Sequence, residues 1–594
     1  MYKLAKENKL LLLICLFTSL IFVYPLFSKT LIPGHDTYFH LCRIEALKNA
    51  YQHGDFLPKL YYYQNFNFGY ATPLFYSDLF LIVPSIIRLT GTPIVITFKI
   101  FLFLCTVFTF MSMYYAVYKI NKNRLAAYLS AIIYVFTAYR ITDVYVRGAM
   151  GEVVAMIFIP LILAEIYSVL YTDNYSSIRL GICFGLLLLS HNITFVFMCV
   201  IFGIFIIINC KKILKDKRRI FTILKAIIIA FGCLAFFIFP MFEQLNSGNY
   251  TVNEFVNDFN LSNYTLFFKQ LFTLKINFGL AGHEFGESMW MTTNTGLVSL
   301  FLPLLMFKGK KKKTSDYTFA LICTLIGFLS LFACLDIVPW DHLNKIFSFM
   351  QFPWRLVIIA SSLLSFSSGI ALSSVLEGEN YKYIYTAFAC VTILIGVYQL
   401  SVILNQESNI FNNTPYSLIA DDEYSGKHGI VTKFNQAELA LGDYLPKGTD
   451  IDYRNYGDYI KTNNEKSDIL DFHRNYNNIE FAIEKSSSNT FYILPLTYYK
   501  GYIVQCYDQN GKFEKEIIPY PDQETYLVTF NPGEQMERKK YIIYYKGTKI
   551  QFISNGITLL FIIVVFFQEA ARKFRKSQNC QLKKEKAERS EFQG

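Results

Sequence analysis

"LLLLICLFTSLIFVYPLFSKTLIPGHDTYFH", Leu10–His40, runs an apolar stretch into a charged mouth. Leu10–Ser28 has the roughly 17–25 residues that a helix needs to cross a bilayer. His35, Asp36 and His40 follow as the chain leaves the apolar phase. An ionisable group at a membrane boundary is costly to desolvate, so its default reading is functional.

The apolar pattern recurs at Ile94–Ile120, Phe221–Met241 and Tyr383–Leu404. Hydrophobic residues make up 53% of the 594, against about 45–50% in soluble domains. A polytopic α-helical membrane protein follows. Leu10–Phe27 reads as a retained first helix, because Ser28-Lys29-Thr30 is a poor signal-peptide cleavage site. The net charge of +11 gathers in short clusters between apolar runs: Lys3/Lys6/Lys9, Lys119–Arg124, Lys211–Arg219, Lys308–Lys313 and the tail after Arg572. Such clusters mark cytoplasmic loops, and they argue against a nucleic-acid partner. Most of the 12 cysteines lie in apolar runs and no CxxC pair occurs, so neither a disulfide framework nor a zinc site is expected.

With the clusters inside, both termini are cytoplasmic, and the expected external loops are 29–93, 140–152, 243–292 and 337–352. Residues 1–404 form the transmembrane domain, with about 12–13 transmembrane helices counting the final one. Pro73–Leu89 is short and holds Pro84, which suggests a juxtamembrane or re-entrant helix. An alternative pairing makes Pro73–Leu89 a span and Ile178–Ile208 one long helix, which puts Arg140–Glu152 in the cytoplasm. Residues 405–550 are polar. "FYILPL" (Phe491–Leu496) and "KGYIVQCY" (Lys500–Tyr507) there read as strands, punctuated by "DQNGK" and "NPGE" turns. They predict an extracytoplasmic β-sandwich-like module, followed in 551–594 by a last helix and a basic cytoplasmic tail.

Four sites are candidates. Asp36 can act as a general base or a metal ligand. It can equally cap the helix that follows it, where Asp36 and His40 share a face at i, i+4. "YVRGAMGE" carries Arg147 and Glu152 with Asp143 just before it, either a site or a polar turn. His283 and Glu284, in "GLAGHEFGESMW", form a weak loop pattern. Arg355, in "QFPWRLV", either forks onto phosphate or snorkels to headgroups.

The order of these features resembles the GT-C superfamily of membrane glycosyltransferases, and more narrowly the YfhO-like bacterial membrane proteins. The resemblance rests on "GHDTYFH", "NFGYATPLFY", "RGAMGE", "FPWR" and the β-rich part before a last helix. Some relatives carry a pterin-synthase-related label, but no His cluster with zinc-ligand spacing is present. By resemblance, Asp36 is the first-loop catalytic carboxylate and Glu152 (or Asp143) the second-loop acid, with Arg147 beside it. By the same resemblance Arg355 contacts the donor phosphate; from the residues themselves, His35, His40, Asp143, Arg147, His283 and Glu284 are expected as substrate-binding groups, His283 and Glu284 able to hold a metal or contact an acceptor. The implied reaction moves a sugar from a polyprenyl-phosphate-linked donor to a cell-envelope polymer or glycolipid. It takes place outside the bacterial cytoplasmic membrane, with a divalent metal (Mg or Mn) as an open question. The rivals are a flippase or transporter of lipid-linked precursors and a non-catalytic envelope scaffold. A flippase needs ionisable groups inside helices, where Glu165 and Lys99 are the nearest cases.

Overall fold

The computed structural model describes the chain except residues 1, 33, 254–259, 280–289, 309–313, 377–380, 411–441, 450–458, 464–468 and 592–594. By length and composition, seven helices are able to cross a membrane: Ile94–Asn121, Met150–Tyr171, Lys217–Ser247, Ser315–Ala333, Pro353–Val375, Tyr381–Asn405 and Lys549–Arg572. Arg124–Val135 and Ala138–Arg147 pass the same test together, bent by 41° at their break. Shorter apolar helices are Asn8–Phe22, Leu79–Leu89, Ser177–Ser190, Asn192–Ile208 and Leu297–Phe307. Among the described residues, seven helices, or eight with the bent pair as one span, are thus long and apolar enough to cross, fewer than the about 12–13 crossings expected from sequence, and the other apolar helices are shorter.

Two of the short helices bear on the alternative pairing. Leu79–Leu89 rises only about 17 Å, against a hydrocarbon core of about 30 Å. Ile178–Ile208 is not one helix: it breaks at His191, between Ser177–Ser190 and Asn192–Ile208. Both observations weigh against that pairing.

The bundle centres on Pro353–Val375, 89% of whose apolar window is buried, against 17% for Lys549–Arg572. Small residues let backbones approach closely in lipid, and Ser361, Ser362, Ser365, Ser367 and Ser368 are all buried there. Ser130 Oγ donates to the Phe366 carbonyl (3.2 Å) and accepts from Gly369 N–H (3.1 Å), and Tyr134 OH lies 2.9 Å from Ser362 Oγ. These bonds fix the Arg124–Val135 helix against the centre.

The C-terminal part is a two-sheet module. Strands β1 (Lys461–Thr462), β4 (Tyr492–Thr497), β8 (Leu527–Phe530) and β7 (Tyr520–Pro521) make one sheet in the order β1-β4-β8-β7. The other runs β2-β3-β9-β5-β6, from β2 (Ile469–Arg474), β3 (Asn478–Ile483), β9 (Lys539–Tyr545), β5 (Tyr502–Tyr507) and β6 (Phe513–Ile517). All strand pairs are antiparallel. Phe481, Tyr492, Phe530 and Tyr541 fill its core, and Leu60, Ala71, Leu74 and Phe75 from the first long loop join the same cluster. Thr497 N–H donates to the Phe68 carbonyl (2.7 Å). The first loop is therefore part of the β module's packing as well as a link between helices.

Candidate functional site

Asp36 occupies the N-cap of the Thr37–Gln52 helix, but its carboxylate makes no capping hydrogen bond. The side chain is exposed, and no hydrogen bond or ion pair holds it among the described residues. Its backbone is fixed instead. His35 N–H donates to the Val146 carbonyl (3.1 Å) and Asp36 N–H to the Arg147 carbonyl (2.7 Å). Two glycines permit this approach. Gly148 sits at φ +64, where a Cβ would lie 2.2 Å from Thr37 Oγ1. At Gly151 a Cβ would lie 1.9 Å from Tyr76 OH.

Residues 140–152, expected as an open loop, are helical and buried. Ala138–Thr142 is a short α-helix, Asp143–Arg147 is a π-helical turn, and Met150–Tyr171 begins two residues after Gly148. π-turns concentrate at functional sites. Here the turn brings Arg147 Nη1 to 2.5 Å from Asp143 Oδ1, and Nη2 lies 2.9 Å from Glu152 Oε1. The guanidinium also lies over the Trp354 ring, 4.7 Å from its centroid. Tyr139 OH donates to Glu152 Oε2 (2.6 Å), and Arg355 Nε lies 3.4 Å from Glu152 Oε1. Buried carboxylates need such partners.

His191 joins this cluster. Its Nδ1 accepts from Thr194 N–H (3.3 Å), capping the next helix, so the neutral ring carries its proton on Nε2. Nε2 lies 3.9 Å from Glu152 Oε1. Tyr76 and Arg355 both feel the charges of Asp36 and Glu152. Asp36, the neighbouring pair Arg147 and Glu152, and Arg355, from three stretches separated by a hundred residues or more, thus converge on one place.

The histidines beside Asp36 differ. His35 is exposed as a residue, but its ring packs edge-on to Phe278, and burial lowers its pKa, opposed by Asp36 and reinforced by Arg147. His40 is buried and turned towards Arg43 (Nδ1 to Nη1, 3.4 Å). Burial and then the Arg43 charge lower its pKa. Arg43 is paired with Asp78 at 2.5 Å and lies over the Tyr76 ring. His283 and Glu284 lie outside the described residues. The sequence reading did not single out Tyr139, His191 or Asp443, and it met Tyr76 only as the end of the aromatic stretch Lys59–Tyr76; the break at His191-Asn192 in an apolar run was the local signal for His191. Asp443 has the Asp36 charge acting on it from the far end of the chain, and its carboxyl makes no hydrogen bond or ion pair among the described residues.

The surroundings of Glu152 do not suit a divalent cation, since the Arg147 and Arg355 guanidiniums lie 2.9 and 3.4 Å from Oε1 and Tyr139 OH donates to Oε2. Among the described residues, no group of three or more His, Cys, Asp or Glu side chains is arranged to hold a metal ion.

Residues 74–403, more than half of the chain, match the family described as 6-pyruvoyl-tetrahydropterin synthase related domain, membrane protein. The chain belongs to this family. The match includes Arg147, Glu152 and Arg355 and leaves out Asp36 and Asp443. An uncharacterized protein from Lactococcus lactis subsp. cremoris (strain MG1363) is 23% identical over 350 residues, 56% of this chain and 55% of that protein. The chain therefore spans little more than half the length of that relative. Among solved structures, the mycobacterial arabinofuranosyltransferase AftD overlaps 66% of this chain and 27% of its own, with TM-score 0.40 and 11% identity. The Archaeoglobus fulgidus oligosaccharyltransferase in the apo form overlaps 73% of this chain and 64% of its own, with TM-score 0.34 and 14% identity. Overlaps this loose fix neither topology nor chemistry.

Proposed function

We propose that this protein is a GT-C-type glycosyltransferase acting at the outer face of a bacterial cytoplasmic membrane. The observation that carries the reading is the pairing of an unpartnered Asp36 carboxylate with a guanidinium cluster, joined backbone to backbone at Arg147. Asp36 is the base that takes the proton from an acceptor hydroxyl. Arg355, assisted by Arg147 and His191, holds the phosphate that leaves with the lipid of a polyprenyl-phosphate-linked sugar. In this reading Glu152 anchors the two arginines, with Asp143 sharing Arg147, and does not itself move a proton. The acceptor is a cell-envelope polymer or glycolipid, steered by the first loop and the β module. The phosphate charge is met by guanidinium groups, so no step is assigned to a metal.

A scaffold needs no such convergence. A flippase would need a polar path through the helices, and the nearest groups are tied: Glu165 to Lys119 (2.7 Å) and Arg179 (3.0 Å), Lys99 to the Ser28 carbonyl (2.7 Å). The test is Asp36→Asn in cells lacking the native gene. The expected result is normal membrane insertion with loss of the envelope sugar that wild type restores; full restoration by the variant overturns the assignment. Orientation is checked by labelling single cysteines from outside. Thr142 is unsuitable because it is fully buried. Ser28 and Asn510 are exposed, and both are expected to react with an impermeant reagent.

A further inference from the structure

Asp443 sits on a turn held from several directions. Val252 N–H donates to the Asp443 carbonyl (2.8 Å) and Leu445 N–H to the Gly442 carbonyl (2.8 Å). Tyr444 N–H donates to Tyr70 OH (3.0 Å), and Tyr499 OH donates to the Tyr444 carbonyl (3.1 Å). The Tyr444 ring stacks on Phe75, centroids 5.1 Å apart at 4°. Phe75 is the chain neighbour of Tyr76, whose hydroxyl closes on Gly151. The first loop, the stretch after the Lys217–Ser247 helix and the β module thus combine to fix the Asp443 turn against the loop segment that carries Tyr76, within reach of the Asp36 charge.

Nearby buried acids all have cations. Asp143 and Glu152 share Arg147, Asp78 holds Arg43, and Glu45 holds Arg88 and Lys48. Asp443 is half-buried, and among the described residues its side chain has no hydrogen bond or ion pair. A partly buried acid without a partner opposes folding, and such groups gather where substrates bind.

We propose that Asp443 and Asp36 form one acceptor subsite, in which Asp443 hydrogen-bonds a hydroxyl of the incoming carbohydrate while Asp36 deprotonates the hydroxyl that reacts. This rests on the transferase reading above. The reacting hydroxyl's proton passes to Asp36. The oxygen bonds to the anomeric carbon, and the bond from that carbon to the phosphate oxygen breaks, its electron pair leaving with the phosphate. The Asp443 proton stays in place. Burial, with the Asp36 charge adding to it, raises Asp443 to about 7, which leaves a proton to donate near neutrality. Among the described residues, the Asp443 charge acts on the phenols of Tyr70 and Tyr444, and Asp36 acts on Asp443.

The test uses the full chain in lipid nanodiscs. Lipid-linked sugars and envelope polymer, both extracted from a deletion strain, serve as donor and acceptor. Wild-type acceptor KM is expected to rise roughly tenfold between about pH 6 and pH 8, the size of one lost hydrogen bond. Asp443→Asn, whose amide still donates, stays flat across that range. Asp443→Ala raises acceptor KM at low pH and leaves donor KM unchanged. A wild-type pH response in Asp443→Asn, or an unchanged acceptor KM in Asp443→Ala, overturns the proposal. Activity surviving in Asp36→Asn, or no transfer by wild type, overturns the transferase reading and the proposal with it. Thermal midpoints give a readout independent of transfer. Because the native pKa lies above the unfolded one, the stability cost of Asp443 is absent below about pH 4, grows between about 4 and about 7, and is full above that. Asp443→Asn therefore melts higher than wild type at alkaline pH, and the gap closes in acid. No gap at alkaline pH overturns the proposal, whatever the assay shows.

Discussion

The acids of this protein fall into two groups that differ in surroundings and in consequence. Asp143 and Glu152, on the buried turn and helix, are enclosed by guanidinium and phenol groups. Asp36 and Asp443, on the loop side, have fixed backbones and carboxyls that lack protein partners among the described residues. Burial explains the first group, because an unpaired charge in that setting would cost several kcal/mol. In the second group Asp36 is exposed and solvated, while Asp443 is half-buried and keeps its unpaired state by holding its proton more tightly. The Glu152 carboxylate is already engaged by two arginines and a phenol, whereas the Asp36 carboxylate has no protein partner among the described residues and is free to meet an acceptor hydroxyl. In the proposed reading, the contrast assigns the proton chemistry to Asp36 and the structural electrostatics to Glu152.

The sharpest way to break that contrast is to neutralise one acid from each group. Asp36→Asn is expected to lower transfer by roughly 10²–10⁴-fold, the usual reach of a general base, with stability within about 0.5 kcal/mol of wild type. Glu152→Gln leaves Arg147 and Arg355 short of a counter-charge and loses stability as well as activity. Kinetics and thermal melts of the purified variants check both. Equal destabilisation by the two changes removes the distinction.

Removing the shared cation comes next. Arg147→Met strands Asp143 and Glu152 and is expected to cost about 3–5 kcal/mol of stability. The triple change Asp143→Asn, Arg147→Met, Glu152→Gln removes the charges together and recovers most of that loss. Comparative unfolding in detergent decides the matter. A triple variant as unstable as the single one would mean that the network contributes packing more than charge balance.

Parts of this arrangement were legible in sequence for physical reasons. Apolar run length marks a span, so the helical class and the polar β module could be read directly. Asp36 stood out because a lone acid at a membrane mouth is unusual. Arg147 and Glu152 are close in sequence, so the π-turn and helix keep them close in space. Their burial was not legible, because a stretch with three charges reads as a loop until the partner from residue 355 is known. Asp443 was invisible: it lies in a polar stretch, and Tyr70, Phe75, Val252 and Tyr499 bring it to the site through long-range contacts.

Arg355 tests the donor side with a smaller effect. Its guanidinium lies over Phe352 and donates to the Met350 carbonyl (3.2 Å), but Nε has no hydrogen-bond partner. Arg355→Ala is expected to weaken donor binding by about 1.5–3 kcal/mol, the range for a hydrogen bond to a charged group. Arg355→Lys keeps the charge without the fork and recovers only part of that. Donor KM measured with a lipid-linked sugar series checks it. An effect confined to acceptor KM would move Arg355 to the other substrate.

The smallest expected effect lies where the two groups of acids meet their control. Asp471 and Arg538 form an ion pair on the β module, with side chains 63% and 43% exposed. Water solvates both partners, and salt screens their attraction. Arg538→Ala is therefore expected to change stability by about 0–1 kcal/mol, with whatever remains fading at high salt. Arg147→Met should be far less salt-sensitive, because its partners are buried. Unfolding at two ionic strengths separates them. If the surface pair proved as costly to break as Arg147, burial would not be what distinguishes the two groups of acids, and the assignment of proton chemistry to Asp36 would lose its physical basis.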